Sequence, residues 1–459
     1  MSKTGIVYDD RFIEHATGKN HPECPDRLTA IRDELTTFGV WEQCVPIPAR
    51  CATRTELMRC HTSHYLNNIE KIPSLAAGGV LNAVDWIMES QFRNALALVR
   101  PPGHHARRDG GGGFCIYNNV AIAAMHALTK HSLDKIMIVD WDIHHGDGTQ
   151  EAFYDRDDVL FFSIHRHNLY PPTGLSEETG DGKGKGYTVN INLDLGFGNG
   201  MYEAVFSKIL EPILWSYQPQ LVLVSAGFDA YYLDDLGLMK VTSEGFVRMA
   251  YRLKKLTERM GHGRLLFCLE GGYHIKGLAR TTRYLTETCL GKRTPLNILL
   301  REPPEFREVL SDIKKAHGDR WPGVGTDHHL IEMNGYLWDG ERISTQDLKL
   351  DQRKAPEQNN FWIEASLGDA IVGRAKICSL GESAIVKFIT THDSMKKKGV
   401  ASKIIHFLQD RHKRVIAQGV KYPARGFWTK LGFSPVPLSK NYHWPTSATI
   451  DKTSIISGG

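Results

Sequence analysis

Six short apolar runs, each broken off by histidine, aspartate or glycine, limit what this chain can fold into. They are ALALV at 95–99, IMIVD at 136–140, VLFFSIH at 159–165, YTVNINL at 187–193, LVLVSAGF at 221–228 and LLFCLEGG at 265–272. Each has the length of a strand and is apolar on both faces, as strands of a parallel sheet covered by helices must be. Helical patterns lie between them: NNVAIAAMHALTK (118–130), MYEAVFSKILEPILWSY (201–217) and SEGFVRMAYRLKKLTERM (243–260). Strand and helix in alternation predict an α/β fold. In such a sheet, ligands sit beyond the carboxyl ends of the strands.

The residues that follow the runs are RPPGHHARRDGGGGF, DWDIHHGDG, IHRHNLYPPTG, Asp229 and GGYH. Read as i and i+2 at a strand end, Asp142 and His144 share one face and can grip one cation. Asp229, at the end of another strand, is a third candidate. Two carboxylates and one imidazole leave a position open, as catalytic zinc sites require. Taken singly, each reads as well as a loop or cap residue; three on one edge beside paired histidines favour the cation. His104 and His105 follow a Pro-Pro-Gly turn, from which both can reach one pocket. Asp140 and Asp147 flank Asp142 and His144 and can orient the imidazoles. Tyr273, in EGGY, is either a packed aromatic or a phenol placed to meet an oxyanion.

Composition excludes little but organises the rest. The 459 residues carry a net charge of +4, which does not indicate direct nucleic-acid binding. Eight cysteines without a CxxC pair read as free thiols in a reducing compartment. The start, MSKTGIVYDDRF, lacks the apolar centre of a signal peptide, and no apolar run approaches the roughly 18 residues that cross a bilayer. The expectation is a cytoplasmic protein without a membrane partner; a nuclear location or signal-independent export fits equally. Oligomeric state is not legible. The length suggests two domains, and the texture changes past residue 300. REPPEFREVLSDIKKAHGDRW reads as the last helix of the first domain. The expected division is 1–328, a polar linker over 329–360, and a smaller domain over 361–450.

RPPGHHA, GGGFCIYNNVAIAA, VDWDIHHGDGTQ, SIHRH, SAGFDA and LEGGY, with HPECPDRL near the start, resemble the signature segments of the zinc-dependent histone deacetylases, in the class II manner. The resemblance runs in order from about residue 5 to 325. It implies an arginase-like α/β fold with a central eight-stranded parallel sheet. It implies zinc on Asp142, His144 and Asp229, and His105, paired with Asp147, as general base and then acid. His104, paired with Asp140, would tune the charge, and Tyr273 would polarise the amide carbonyl beside the metal. Gly113, Phe114 and Tyr170 would line a tunnel for an acyl-lysine stem. Leu236 falls where the family screens substrates: leucine is similar to lysine deacetylases, whereas glutamate marks polyamine deacetylases. A structural potassium would sit on Asp140, Asp142, His144, Ser163 and Ile164, and a second monovalent cation on the backbone of Phe153, Arg156, Val159 and Tyr187. Two departures stand out. Asp147 replaces the asparagine frequent in class II, and the segment from Tyr65 to Ala95 is short, as if a rim loop were trimmed. The implied activity is zinc-dependent removal of acetyl groups from acetyl-lysine of proteins, histone tails and chromatin regulation included. The other readings are an acetylpolyamine or small-amide amidohydrolase, and a non-catalytic acyl-lysine binder.

Further on, SAIVKFITTHDSMKKKGVASKIIHFLQD and ARGFWTKLGF (424–433) resemble the coenzyme A segments of GNAT acetyltransferases. The pattern GVASKIIHFLQDRHKRV (399–415) reads as one helix. The resemblance implies an α+β domain whose turn at Lys396, Gly399 and Ala401 cradles a pyrophosphate of acetyl-CoA. Lysine replaces the usual Arg/Gln, the first half of the fold is not visible, and no general base stands out. A shortened domain used for docking or regulation, and a bifunctional protein, are the two outcomes.

Overall fold

A computed structural model describes residues 3–296 and 300–326, and then 337–338, 349–354, 359–367, 370–380, 382–391, 399–418, 425–431, 433–435 and 442–444. The chain divides into two units: Met1–Pro295 with Glu302–Glu332, and Leu296–Arg301 with Met333–Gly459.

In the first unit the six apolar runs become six of the eight strands of one sheet. Its elements are β1 (Thr4–Val7), α1 (Asp26–Thr37), β2 (Val45–Ile47), α2 (Arg54–Leu57), α3 (Lys71–Met88), β3 (Asn94–Ala97), α4 (Asn119–Lys130), β4 (Ile136–Asp140), α5 (Asp147–Phe153), β5 (Val159–Arg166) and β6 (Thr188–Leu193). Then come α6 (Asn199–Val205), α7 (Glu211–Tyr217), β7 (Leu221–Ala226), α8 (Ser243–Arg259), β8 (Leu265–Leu269) and α9 (Ile275–Cys289). The eight strands run in the order β2-β1-β3-β8-β7-β4-β5-β6, every pair parallel. This is the eight-stranded parallel sheet that was expected. Every residue of β3, β4, β7 and β8 is buried, and each fully buried Val, Leu, Ile or Phe contributes ~1.5–3 kcal/mol. α3 packs on α4, and α8, α9 and α1 pack in series. Register fixes the place of the chemistry: Asp140 at the end of β4 lies level with Ser163 on β5 and Ser225 on β7.

Three local readings change. The strands β1 and β2 escaped notice because TGIV and VPI are too short to show a pattern. The stretch 201–217 is not one regular helix: between α6 and α7 it widens into a π-turn over Phe206–Leu210, where Pro212 offers no N–H to the preceding turn. Asp142 and His144 lie beyond the end of β4, not within it.

The second unit adds β9 (Leu300–Arg301) paired with β10 (Leu337–Trp338), and a seven-stranded sheet. β11 (Lys349–Lys354), β12 (Asn360–Leu367), β13 (Ala370–Leu380) and β14 (Ser383–Thr391) are consecutive antiparallel neighbours. α11 (Val400–Gln409) crosses over to β15 (Arg414–Ala417), which is parallel to β14. After α12 (Arg425–Lys430), β17 (Tyr442–Trp444) inserts between β15 and β16 (Ser434–Pro435). The helix read over 399–415 therefore stops at Gln409. Residues 414–417 alternate half-buried and buried, the period of a strand. α10 (Phe306–His317) belongs to the first unit and matches the expected last helix.

Candidate active site

Two aspartates turn the chain as it leaves β4. Trp141 N still donates to Ser225 O, at 3.2 Å. Asp140 Oδ1 then accepts from Asp142 N (3.0 Å) and Asp142 Oδ1 from His144 N (2.9 Å), two side-chain turns in succession. These turns, rather than strand alternation, aim Asp142 and His144 at one point. Asp142 Oδ2 accepts from Gly271 N at 2.8 Å, and Asp229 Oδ1 from Ile143 N at 2.9 Å. His144 Nδ1 lies 2.9 Å from Asp142 Oδ1 and 3.1 Å from Asp229 Oδ2. Asp229 Oδ2 is buried and accepts no hydrogen bond.

The electrostatics of this trio favour a cation. Burial, and then the charge of Asp142, push the Asp229 carboxyl up to about 7. Burial opposes charge on His144, but Asp142 and Asp229 prevail and lift it to about 10. Two buried carboxylates in one small volume repel each other and draw positive charge toward them. An O, O, N donor set with an open side suits zinc.

The paired histidines separate into two unlike dyads. His105 Nδ1 meets Asp147 Oδ1 at 2.7 Å, and His104 Nδ1 meets Asp140 Oδ2 at 3.0 Å. Burial, then the charge of His104, lower His105 to about 4. Burial also opposes charge on His104, yet Asp140 and Asp142 hold it well above its usual value. His105 is thus held toward the neutral imidazole and His104 toward the protonated one. Arg107 donates from Nε (2.7 Å) to Asp147 Oδ2, with Nη2 at 2.6 Å. Burial would raise Asp147, but His105 and Arg107 hold it below the usual carboxylate range.

Tyr273 comes from the loop between β8 and α9. Burial, then Asp229, push its phenol well above the ordinary value, so it stays a donor. Arg27 lies 5.2 Å from its ring centroid and donates to Gly272 O (2.7 Å) and Glu270 O (2.5 Å). Glu270 Oε2 in turn accepts from Gly103 N (2.7 Å) and His104 N (3.2 Å), fixing the histidine turn. Arg27, Glu270, Arg107 and Asp234 were not singled out in the sequence, because their partners lie far away along the chain.

The site opens through a cavity of about 450 Å³, lined by His104, His105, Gly113, Phe114, His144, Tyr170, Leu236 and Tyr273, and by Pro102, Leu169 and Gly271, which the sequence did not suggest. Two glycines permit this shape. A Cβ on Gly113 would lie 2.2 Å from His105 Cδ2, and one on Gly271 2.2 Å from Asp229 Oδ2. Phe114 holds φ +70°, an uncommon backbone state for a bulky residue. The segment suspected of a trimmed rim is mostly helix: one turn over Tyr65–Asn67, then α3 from Lys71.

Other expected residues fall as follows. Ser163 and Ile164 lie on β5 directly beside Asp140, and Ser163 Oγ shares a hydrogen bond with His165 Nδ1 at 2.9 Å. Phe153, Arg156 and Val159 follow one turn from α5 into β5. Tyr187 precedes β6, and its carbonyl accepts from Phe161 N. Gly399, at φ +84°, precedes α11 and Ala401 lies in its first turn. Lys396 lies outside the described residues. An unforeseen cluster joins Asp85 Oδ1 to His126 Nε2 and His131 Nε2, both at 2.7 Å. Lys130 takes Asp85 Oδ2, and Arg59 takes His126 Nδ1. With Arg59 donating to Nδ1, Nε2 carries the proton toward Asp85, which makes this a hydrogen-bonded cluster. Among the described residues no helix is long and apolar enough to cross a membrane.

Comparison with known proteins fits this geometry. Residues 70–289 match the histone deacetylase domain family. A probable deacetylase of Archaeoglobus fulgidus is 35% identical over 360 residues, covering 69% of this chain and 98% of that protein. The polyamine deacetylase HDAC10 of Mus musculus is 37% identical over 358 residues, 71% of this chain and 52% of its own length. The crystal structure of the HDA15 HD domain superposes with a TM-score of 0.66 at 35% identity, covering 70% of this chain and 98% of that one.

Proposed function

This chain belongs to the histone deacetylase family, and from that membership we propose a zinc-dependent lysine deacetylase that acts on acetylated proteins, histone tails among them. Asp142, His144 and Asp229 are the zinc ligands in this reading. Zinc held there supplies a Lewis acid for the acetyl carbonyl and acidifies its water. The chain's own residues do the rest. Phe114 and Tyr170 flank the lysine stem. His105, neutral and oriented through Nδ1 by Asp147, takes a proton at Nε2 as water attacks the carbonyl. His104 keeps its proton and its charge beside the site. The Tyr273 hydroxyl donates to the oxygen as it gains charge. His105 then gives its proton to the departing lysine amine, leaving acetate and free lysine.

The observation that carries lysine over polyamine is the lining of the cavity. Leu236 stands at the mouth, and among the described residues no acidic side chain lines the cavity. A polyamine would bring a second ammonium with no partner there, whereas a lysine stem is apolar up to its acyl group. Acetate release from acetylated histone-tail peptides and from acetylpolyamines, measured side by side, tests this. Peptide turnover that falls in Tyr273→Phe is expected, as is a shift toward polyamines in Leu236→Glu. Turnover of polyamines alone would overturn the substrate, and turnover of neither with zinc bound would leave an acyl-lysine binder.

A structural potassium on Asp140, Asp142, His144, Ser163 and Ile164 is favoured by the alignment of β4 with β5; the backbone of Phe153, Arg156, Val159 and Tyr187 is the second monovalent position. Potassium titration of the melting temperature tests both. Eight free thiols suit the cytoplasm, which cell fractionation checks. The domain limits proposed are 1–328, 329–360 and 361–450, with limited proteolysis expected to cut the middle stretch ahead of β11, which pairs with β12.

For the second unit one observation favours a GNAT-like reading. The parallel pair β14 and β15 is joined through α11, whose N-terminus follows Gly399 in the left-handed region. Backbone amides at such a start suit the pyrophosphate of acetyl-CoA. Calorimetric titration of the full chain with acetyl-CoA decides it: no heat of binding would reduce the unit to docking or regulation.

A further inference from the structure

Asp234 lies between the mouth of the cavity and its deepest donor. It is 3% exposed. Its Oδ1 accepts from Leu236 N at 3.1 Å. Its Oδ2 accepts from Tyr273 N at 2.6 Å and from His274 N at 3.0 Å. Tyr273 and His274 sit between β8 and α9, outside any helix or strand, so their amides have no ladder to belong to. Leu236 is 42% exposed at the rim. One buried carboxylate therefore ties two loops, which also meet through Phe228 N donating to Gly271 O (3.0 Å) and the stacked rings of Tyr231 and His274.

We propose that Asp234 is a positioning residue that couples the substrate-screening rim to the oxyanion donor, so that Leu236 and Tyr273 keep a fixed separation along the tunnel. The proposal rests on the deacetylase reading. Charge makes the tie strong: a carboxylate accepting backbone N–H bonds forms shorter, stronger bonds than a neutral acceptor. Geometry makes it bilateral, because Oδ1 turns Asp234's own loop at Leu236 while Oδ2 reaches across to the Tyr273 loop. The other side of the Tyr273 loop is held by Arg27, through Gly272 O and Glu270 O. An anion on the amide side and a cation on the carbonyl side leave this loop little freedom. Asp234 is itself anchored, its N–H donating to Tyr231 O at 2.8 Å. An asparagine keeps the shape but offers one acceptor oxygen, so it can hold one loop and not both.

The test uses the zinc-loaded full chain. Asp234→Asn, Tyr273→Phe and the double variant are assayed on an acetyl-lysine peptide, with zinc content, melting temperature and hydrogen exchange over 229–241 and 268–278. A misplacement on the order of 1 Å costs as much as ~100-fold in rate, so Asp234→Asn is expected to lower kcat about 10- to 100-fold with KM little changed and zinc retained. Both segments are expected to exchange faster. Because the residue acts through Tyr273, no further loss is expected in the Tyr273→Phe background. Equal loss in both backgrounds, an unchanged kcat, or faster exchange confined to 229–241 would overturn the proposal. Should the variant fail to fold, the wild type still decides: its Tyr273 and His274 amides must exchange slowly although they lie in a loop, and loop-like exchange would end the proposal. A wild type that hydrolyses no acetyl-lysine peptide would sink the deacetylase reading, while the exchange measurements would still judge the tie.

Discussion

The two units of this chain bury opposite kinds of side chain. The first buries carboxylates and arginines in quantity: Asp140, Asp142, Asp229 and Glu270 at the strand ends, and Glu203, Arg248 and Arg252 among its helices. In the second, every buried side chain among the described residues is apolar, from Phe361 and Ile363 on β12 to Ile404, Ile405 and Leu408 on α11. Burying a charge costs free energy unless it is paired and hydrogen-bonded. The first unit meets that cost at the end of its sheet, where Asp142, Asp229 and His144 converge. The described core of the second is apolar, with the polar atoms Asn360 Oδ1 and Glu364 Oε2 shielded beside it on β12. A sheet edge crowded with ionisable groups reports chemistry; a dry core reports only that a domain folds.

Removing the metal should break this symmetry most. Chelation of zinc is expected to abolish acetate release and restoration of zinc to return it. In calorimetry the transition of the first unit should fall on chelation, since a cation bound only by the native state stabilises by mass action. The transition of the second unit should stay where it was. Movement of both transitions by the same amount would show that the units do not melt separately, and the comparison would fail.

The reverse perturbation is Ile404→Ala. Ile404 is fully buried in the second unit. Its truncation should cost that unit about 2–5 kcal/mol, read in its own transition, and leave kcat on an acetyl-lysine peptide within about twofold. A kcat that fell with the melting temperature would mean that the second unit supports the first in catalysis.

What could be read in the sequence differs between the units for the same physical reason. Strands buried on both faces announce themselves as unbroken apolar runs, so β4, β5, β7 and β8 were visible, and the motifs at their ends named His104, His105, Asp142, His144, Asp229 and Tyr273. The short strands β1 and β2 were silent. The clamps were silent as well: Arg27 reaches Gly272, and Asp234 reaches Tyr273, across stretches of chain that no local pattern spans. In the second unit, antiparallel strands with one covered face gave weaker signals, and a helix was carried past Gln409 into β15. Lys396, part of the segment that resembles a coenzyme A turn, lies outside the described residues.

The smallest expected effect isolates charge from metal. Glu56, far in sequence from the strand-end motifs, caps α2 together with Thr53. It accepts from Arg50 Nη1 at 2.8 Å and Nη2 at 2.7 Å, and from Thr53 N at 2.8 Å. Burial would raise its carboxyl, but these donors prevail and hold it down to about 2. A carboxyl depressed in the folded state stabilises above its unfolded value, about 4.3, and that contribution disappears as pH falls toward the folded value. With partial exposure to solvent it amounts to about 1–2 kcal/mol. Glu56→Gln should therefore lower the transition of the first unit at pH 7, and the gap to wild type should close between pH 4.5 and 2. The second unit's transition should not notice the substitution at any pH. A gap that stays constant with pH would mean that Glu56 contributes through packing, and the contrast between a charged unit and a dry one would then have to rest on the strand ends alone.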